Sequence, residues 1–162
     1  MTGNLQTLKH GQVATFPRLL GDQLCLDFVN TIEGPLGDHP QEFLRTAGDI
    51  PHWGLHVGLL SEGESTRLIT RLNEEPIVAE AMFADALHLR ALLHDLFLAI
   101  AHRETPPLQV LEEIQHFYQR ALSEARLVQG ETGYIWQWES SRGVLTVLWR
   151  VVASAMDLLT HG

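Results

Sequence analysis

Apolar residues return at helical spacing over most of the chain. Between residues 76 and 102 they recur every three or four positions, which predicts a long central core helix. Thr105-Pro106 is expected to cap and open the next helix. The side chains predicted to face inward from that helix are Leu108, Leu111, Phe117, Leu122 and Ala125. This pattern predicts a mainly helical protein.

The first structured segment is predicted to be a helix. It covers residues 24–31 and can be capped by Gly21-Asp22, although its apolar positions also alternate as they would in a strand. Residues 34–40 contain two prolines and two glycines, and we expect them to interrupt regular structure.

Two further helices are predicted before the long one. Asp49 is expected to cap a short helix that has Pro51 in its first turn. Ser61 and Glu64 have the spacing of a capping box, in which each side chain accepts the other residue's backbone N–H. The helix that they open should end near Asn73.

The period of the apolar residues changes after residue 125. Residues 126–129 and 134–139 flank a Gly-Glu-Thr-Gly turn, which predicts a β-hairpin. Ser140 or Ser141 is then expected to cap a last helix that runs on through Val144. The predicted fold is mainly α, a single-domain helical bundle with one small β-hairpin at about residues 126–139.

The length of 162 residues fits one domain, which we place at residues 16–162 behind a polar tail of residues 1–15. No apolar run has the length of a membrane helix, and the first residues do not have the pattern of a secretory signal. We therefore expect a cytoplasmic protein without a membrane partner.

The charge balance argues against nucleic-acid binding by this chain alone. Twenty acidic residues face eleven basic ones, so the formal net charge is −9. The arginines are dispersed and Lys9 is the single lysine, whereas a duplex-binding domain normally presents a basic stripe.

The sequence predicts neither a metal site nor a cofactor. Cys25 is the single cysteine and lies in an apolar run, which favours a buried, inert thiol. His52 and His56 could share a helical face, but zinc needs further ligands. His88 and His116 have no partners that the sequence identifies, and neither a serine elbow nor a phosphate loop is present.

Polar residues interrupt two of the apolar helices. Asp27 and Asn30 would share a face of the first helix, and Arg90 lies within the apolar stripe of the long helix. An Asp27–Arg90 ion pair could order the core. Alternatively, the same polar patch could line a small pocket.

Several segments together resemble the ABATE domain, the N-terminal part of bacterial proteins described as stress-induced transcription regulators. Residues 24–31, Leu-Cys-Leu-Asp-Phe-Val-Asn-Thr, are similar to that family's opening "LCLDFxNT" signature. Trp53 through Leu60 resembles its "W…GLL" segment, and Leu89 through Leu92 its "LR-x-L" segment. Residues 148–159 resemble its closing "VA-S-A…LL" helix.

The resemblance implies a regulatory setting. Members usually continue into a C-terminal CGNR zinc finger that would contact DNA. The present sequence ends at Gly162, where that finger would begin. We expect either a stand-alone form or a piece cut at a domain boundary. Our leading hypothesis is a module that binds a small molecule or a regulatory protein. The candidate ligand-binding residues are Asp27, Asn30, Thr31, Arg90 and Trp149.

Two other readings stay open. A small enzyme could use a polar pocket around Asp27, Asn30 and Arg90. A purely structural dimerisation module would instead carry an exposed apolar face across a two-fold axis.

Overall fold

The computed structural model describes residues 16–19, 23–33, 39–139 and 143–162. Within these ranges the chain forms six helices and two antiparallel two-stranded sheets, so the predicted mainly α class is confirmed. The helices are α1 (Leu24–Val29), α2 (Asp49–His56), α3 (Glu62–Glu74), α4 (Pro76–Ala101), α5 (Leu108–Glu124) and α6 (Thr146–His161). The strands are β1 (Ile32–Glu33), β2 (Gln41–Glu42), β3 (Arg126–Gly130) and β4 (Gly133–Gln137).

Elements that the sequence predicts from local patterns, such as helical periodicity, a capping box or a turn, lie at the predicted positions. Helix α4 ends within one residue of its predicted boundary. The capping box at the start of α3 is formed, because Ser61 Oγ accepts the Glu64 N–H at 3.2 Å and Glu64 Oε1 accepts the Ser61 N–H at 3.2 Å. Strands β3 and β4 form the predicted hairpin with a two-residue turn between Gly130 and Gly133.

The buried face of α5 differs from the prediction. The helix begins at Leu108 with Pro107 in the N-cap position, so Thr105 does not cap it. A residue that precedes proline is biased away from helical geometry, and two consecutive prolines therefore delay the helix start. The residues buried on α5 are Val110, Ile114, Phe117 and Ala121, whereas Leu108 and Leu111 are exposed.

A second small sheet accompanies the predicted chain break. Helix α1 ends at Val29 rather than Thr31, and Ile32 then pairs with Glu42 across β1 and β2. Gly21-Asp22 and residues 34–38 lie outside the described residues, as does the predicted tail of residues 1–15. The sequence does not predict this sheet, because its strands have two residues each and no alternating pattern.

Two other helix starts are corrected. Gly48 occupies the N-cap position of α2, and the Asp49 carboxylate instead accepts the N–H groups of Arg45 and Thr46 in the preceding loop, at 2.7 and 2.9 Å. Helix α6 begins at Thr146, so Val144 precedes it. The predicted capping serines, 140 and 141, lie outside the described residues.

The end of α2 is a tight turn that returns the chain to the core. The Leu59 N–H donates to the Gly54 carbonyl at 2.8 Å, and the Gly58 N–H donates to that of Leu55 at 3.1 Å. These two bonds form a Schellman motif, and its left-handed position is occupied by Gly58 with a φ of 80°. Leu60 can therefore turn inward, where it is buried.

Helices α4 and α6 carry the centre of the core. Helix α1 packs against both, α5 packs against both from another side, and α2 packs against α3 and α6. The largest fully buried side chains include Trp53, Trp149, Phe28, Met82 and Leu148. Cys25 is fully buried as expected, and burial raises the pKa of its thiol. In the part of the chain that the structure describes, none of the helices combines the length and apolarity needed to span a bilayer.

Candidate functional site

The buried guanidinium of Arg90 organises a polar cluster where α4 meets the small β1–β2 sheet. Its Nη1 donates to Glu42 Oε1 at 2.7 Å, and its Nη2 donates to Glu42 Oε2 at 2.5 Å. Nη1 also donates to Thr31 Oγ1 at 3.1 Å. Arg90 is 7% exposed and Thr31 is fully buried, so the guanidinium side of this bidentate contact is buried.

The electrostatics of the cluster keep Glu42 ionised. Burial opposes ionisation of this carboxyl group, but the hydrogen bonds from Arg90 and from the Leu44 N–H outweigh burial and lower its pKa. The acid that the structure places against Arg90 is Glu42, whereas the sequence offered Asp27 as one candidate partner. Glu42 reaches Arg90 because β1 and β2 pair, which the sequence did not reveal.

The five predicted ligand-binding residues fall in different places. Thr31 and Arg90 are in direct contact, and Thr31 Oγ1 also donates to the Phe28 carbonyl at 2.6 Å. Asp27 is buried and Asn30 half-buried, both at or next to helix α1. Trp149, on α6, makes its polar contacts with α5 instead. A ligand-binding role for this set stays a prediction.

The segments that resemble the family meet one another in the core. The backbone N–H of Cys25 in α1 donates to Ser154 Oγ in α6 at 3.1 Å. The rings of Phe28 and Trp53 pack edge to face with centroids 5.2 Å apart. Together with the Thr31–Arg90 bond, these contacts join the opening signature to α2, α4 and α6. The signature residues thus build the core around α1.

A separate open groove lies between α4 and α5. Its volume is about 330 Å³, and its walls carry acidic, basic and aromatic side chains. The lining residues are Asp85, His88, Glu112, Glu113, His116, Phe117 and Arg120. The sequence identifies no partner for His88, because the Glu113 carboxylate that contacts it comes from the other helix of the pair.

Two polar side-chain contacts cross this groove from α4 to α5. His88 Nε2 hydrogen-bonds Glu113 Oε2, and Arg120 Nη2 donates to Asp85 Oδ2 at 3.1 Å. The hydrogen bond from His88, together with one from Gln109 at 3.0 Å, lowers the pKa of the Glu113 carboxyl group. These contacts join neighbouring helices at a surface that remains accessible to solutes.

Arg120 connects the groove to the predicted residue Trp149. Its guanidinium lies 5.5 Å from the ring centre of Phe117 and 5.1 Å from that of Trp149, which are cation–π distances. The Trp149 indole N–H donates to Glu124 Oε2 at 2.8 Å. Helices α4, α5 and α6 are thereby linked through one side chain at the groove wall.

Metal binding has no geometric support in the described ranges, where no three His, Cys, Asp or Glu side chains come together as a metal site would require. His56 Nε2 lies 3.3 Å from the Pro17 carbonyl, and its ring packs against Phe16. That the protein holds no zinc stays a prediction, which elemental analysis of the purified chain would test.

Comparison with known proteins identifies a family for nearly the whole chain. The ABATE family model, described as "Putative stress-induced transcription regulator", matches residues 22–162. Neither the curated proteins nor the solved structures gave a match. The match covers every helix and strand described above, in agreement with the resemblance found in the sequence. The chain belongs to the ABATE family.

Proposed function

We propose that this domain is a regulatory module of the transcription-regulator kind and that it binds a small organic cation in the α4–α5 groove. The observation that carries the proposal is the groove itself, in which charged groups of both signs surround an aromatic ring at an accessible surface. Clefts with a few convergent polar groups are the usual form of small-ligand sites.

The charge of the groove favours a cation. Three carboxylates, from Asp85, Glu112 and Glu113, face the single guanidinium of Arg120 when the histidines are neutral. A cleft lined by an excess of one sign attracts solutes of the opposite sign. The net charge of −9 acts in the same direction over longer distances.

The groove also has a physical connection to the rest of the domain. A cation that engages Asp85 would compete with Arg120 for that carboxylate, and Arg120 stacks on Phe117 and Trp149. Binding could therefore be transmitted from the α4–α5 contact to α6. A regulatory domain needs such a coupling between a ligand and a second surface.

The polar patch around Arg90 gives less support to a site. Both ends of the Arg90 guanidinium are engaged by Glu42, and Thr31 takes a further hydrogen bond. A ligand at this position would have to displace Glu42 from a largely buried partner. The alternative hypothesis of a small enzyme with a polar pocket around Asp27, Asn30 and Arg90 therefore has less support than a regulatory module.

Titration calorimetry with putrescine and succinate, a diamine and a dicarboxylate of similar length, tests the proposal. We expect putrescine to bind the wild type and succinate not to bind. The double variant Glu112→Gln, Glu113→Gln should weaken putrescine binding about tenfold or more, which corresponds to about 1.4 kcal/mol. The matched control is Glu74→Gln with Glu80→Gln, because these acids are exposed, do not line the groove, and change the net charge equally.

The control separates a site from a general charge effect. Equal weakening in both double variants would show that putrescine responds to net charge alone, which contradicts a site in the groove. Tighter binding of succinate than of putrescine would contradict the assignment of a cation.

A further inference from the structure

The β3–β4 hairpin exposes an unusual amount of apolar surface. All five residues of β4 are exposed, and three consecutive ones are large and apolar: Tyr134 at 73%, Ile135 at 55% and Trp136 at 48%. Leu127 on β3, which lies opposite Trp136, is 60% exposed. Apolar side chains therefore project from both faces of the same ribbon, since neighbours along a strand point to opposite faces.

The outer edge of β4 lacks the features that normally protect an edge strand. Its sequence, Gly-Tyr-Ile-Trp-Gln, contains no charge and no proline. Among the described residues, β4 is hydrogen-bonded as a strand to β3 alone. A lone two-stranded ribbon is marginally stable in water, so a further strand on this edge would stabilise it.

The register of the hairpin fixes which backbone groups face that edge. Gly130 and Gly133 close a two-residue turn and form a hydrogen-bonded pair. Bonded and non-bonded pairs alternate along an antiparallel ladder, so Ile135 bonds to β3. Tyr134 and Trp136 consequently direct their N–H and C=O groups to the outer edge.

We propose that a second copy of this chain binds here, with the two β4 strands antiparallel about a two-fold axis at Ile135. In this register Tyr134 lies opposite Trp136 of the partner subunit, and the outward backbone groups of both residues form a hydrogen-bonded pair. Ile135 lies opposite Ile135 of the partner subunit as a non-bonded pair. The result is a continuous four-stranded sheet, and the inference is independent of the groove.

Charge and area favour a second copy over other occupants. The charged residues at the base of the hairpin, Arg126 and Glu139, pair with each other at 3.3 Å, so the middle of the ribbon offers no charge to a charged peptide or lipid surface. With about 200 Å² for each fully exposed large side chain, the four exposed residues offer on the order of 450–500 Å². Pairing at the β4 edge covers only the part of this surface along the seam, which is less than the ~800 Å² that each partner buries in a standard interface, so we expect a weak, reversible dimer.

Disulfide trapping tests the register directly. Antiparallel non-bonded pairs have Cα atoms about 4.5 Å apart, within the range that a disulfide spans. Under mild oxidation with diamide, Ile135→Cys should give a covalent dimer rapidly. Wild type should give none, because its single thiol, Cys25, is fully buried. Tyr134→Cys is the matched control, since the two copies of this position lie about 8–9 Å apart in the proposed register.

Sedimentation equilibrium of the full chain tests the interface without a cross-link. We expect a reversible dimer of wild type in the micromolar range, which Ile135→Lys shifts to monomer by at least tenfold in the dissociation constant. The control Leu108→Lys, at an exposed apolar position on α5, should remain dimeric. Ile135 is a surface residue, and circular dichroism would establish that each variant is folded.

Three outcomes would overturn the proposal. A wild type that stays monomeric throughout the micromolar range would show that a second copy does not bind at the β4 edge. Equal loss of dimer in Leu108→Lys would place the interface elsewhere. Cross-linking of Tyr134→Cys at least as fast as that of Ile135→Cys would contradict the register.

Discussion

Replacing Glu42 by glutamine tests whether the Arg90 cluster fastens the β1–β2 sheet to α4. The substitution keeps the size of the side chain and removes its charge. Arg90, which is 7% exposed, would then keep its positive charge with an amide in place of a carboxylate. Thr31 could not compensate, because its hydroxyl is neutral and already donates to Phe28.

The expected loss of stability follows from the burial of the two partners. Breaking a fully buried ion pair by removing one partner costs about 3–5 kcal/mol. The Glu42 side chain is 35% exposed, so water reaches part of the cluster and screens it. We therefore expect Glu42→Gln to lower the free energy of unfolding by about 2–3 kcal/mol, a substantial part of the stability of a typical domain.

A double-mutant cycle with Arg90→Gln isolates the pair. Denaturant unfolding of wild type, both single variants and the double variant should give a coupling energy of about 1–2 kcal/mol. The matched control is the Arg71–Glu75 pair on α3, whose side chains are 43% and 44% exposed at an N–O distance of 3.2 Å. Exposed pairs at this helical spacing couple by about 0.3–0.5 kcal/mol, so the two cycles should differ clearly.

A third cycle, between Asp27→Asn and Arg90→Gln, distinguishes the structure from the sequence expectation. The coupling of Asp27 to Arg90 should be smaller than that of Glu42, because Glu42 receives both ends of the guanidinium. Stronger coupling to Asp27 would refute the cluster described here. A Glu42–Arg90 coupling no larger than that of the exposed control pair would refute its structural role.

Three further results are expected. Because the folded-state pKa of Glu42 lies below its ordinary value of 4.5, its contribution should be complete above about pH 4.5 and lost as the pH falls through the folded value. The unfolding free energies of wild type and Glu42→Gln should accordingly converge in acid, and a constant difference would contradict this. Gly54→Ala should lower the free energy of unfolding by about 1–3 kcal/mol, because the added Cβ would lie 2.9 Å from Leu60 Cδ1 and 3.0 Å from Val147 Cγ2. An unchanged denaturant midpoint would mean that α2 and α6 can separate freely. Mobility-shift assays at physiological salt should show at most weak, non-specific DNA binding, because the net charge is −9. A sequence-specific complex at sub-micromolar concentration would contradict this inference from charge.

The sequence by itself determined the elements whose signals are local. The apolar stripe of α4, the capping box at Ser61 and the alternation around Gly130 and Gly133 each act through neighbours within a few positions. Hydrogen bonds and side-chain periodicity at that range depend little on the rest of the fold. The family resemblance could likewise be recognised from the sequence, because the signature is a pattern of residue types.

The sequence predicts the wrong buried face for α5. Each residue along a helix rotates the side chain by about 100°, so a small error of phase moves the buried face substantially. The sequence pattern predicts Leu108 and Leu111 as inward residues, whereas Val110 and Ile114 are the buried ones. The hydrophobicity of Leu108 and Leu111 suggests that they are buried. The packing of α5 against α4 and α6 instead leaves both side chains exposed.

The partners of the polar residues were decided by the tertiary structure. Glu42 and Arg90 are 48 positions apart, and they meet because a two-residue ladder folds β2 back beside β1. His88 and Glu113 are 25 positions apart and meet because α4 and α5 pack side by side. A sequence shows which charges must find partners when buried, but long-range packing chooses among them, because many pairings satisfy the same local pattern.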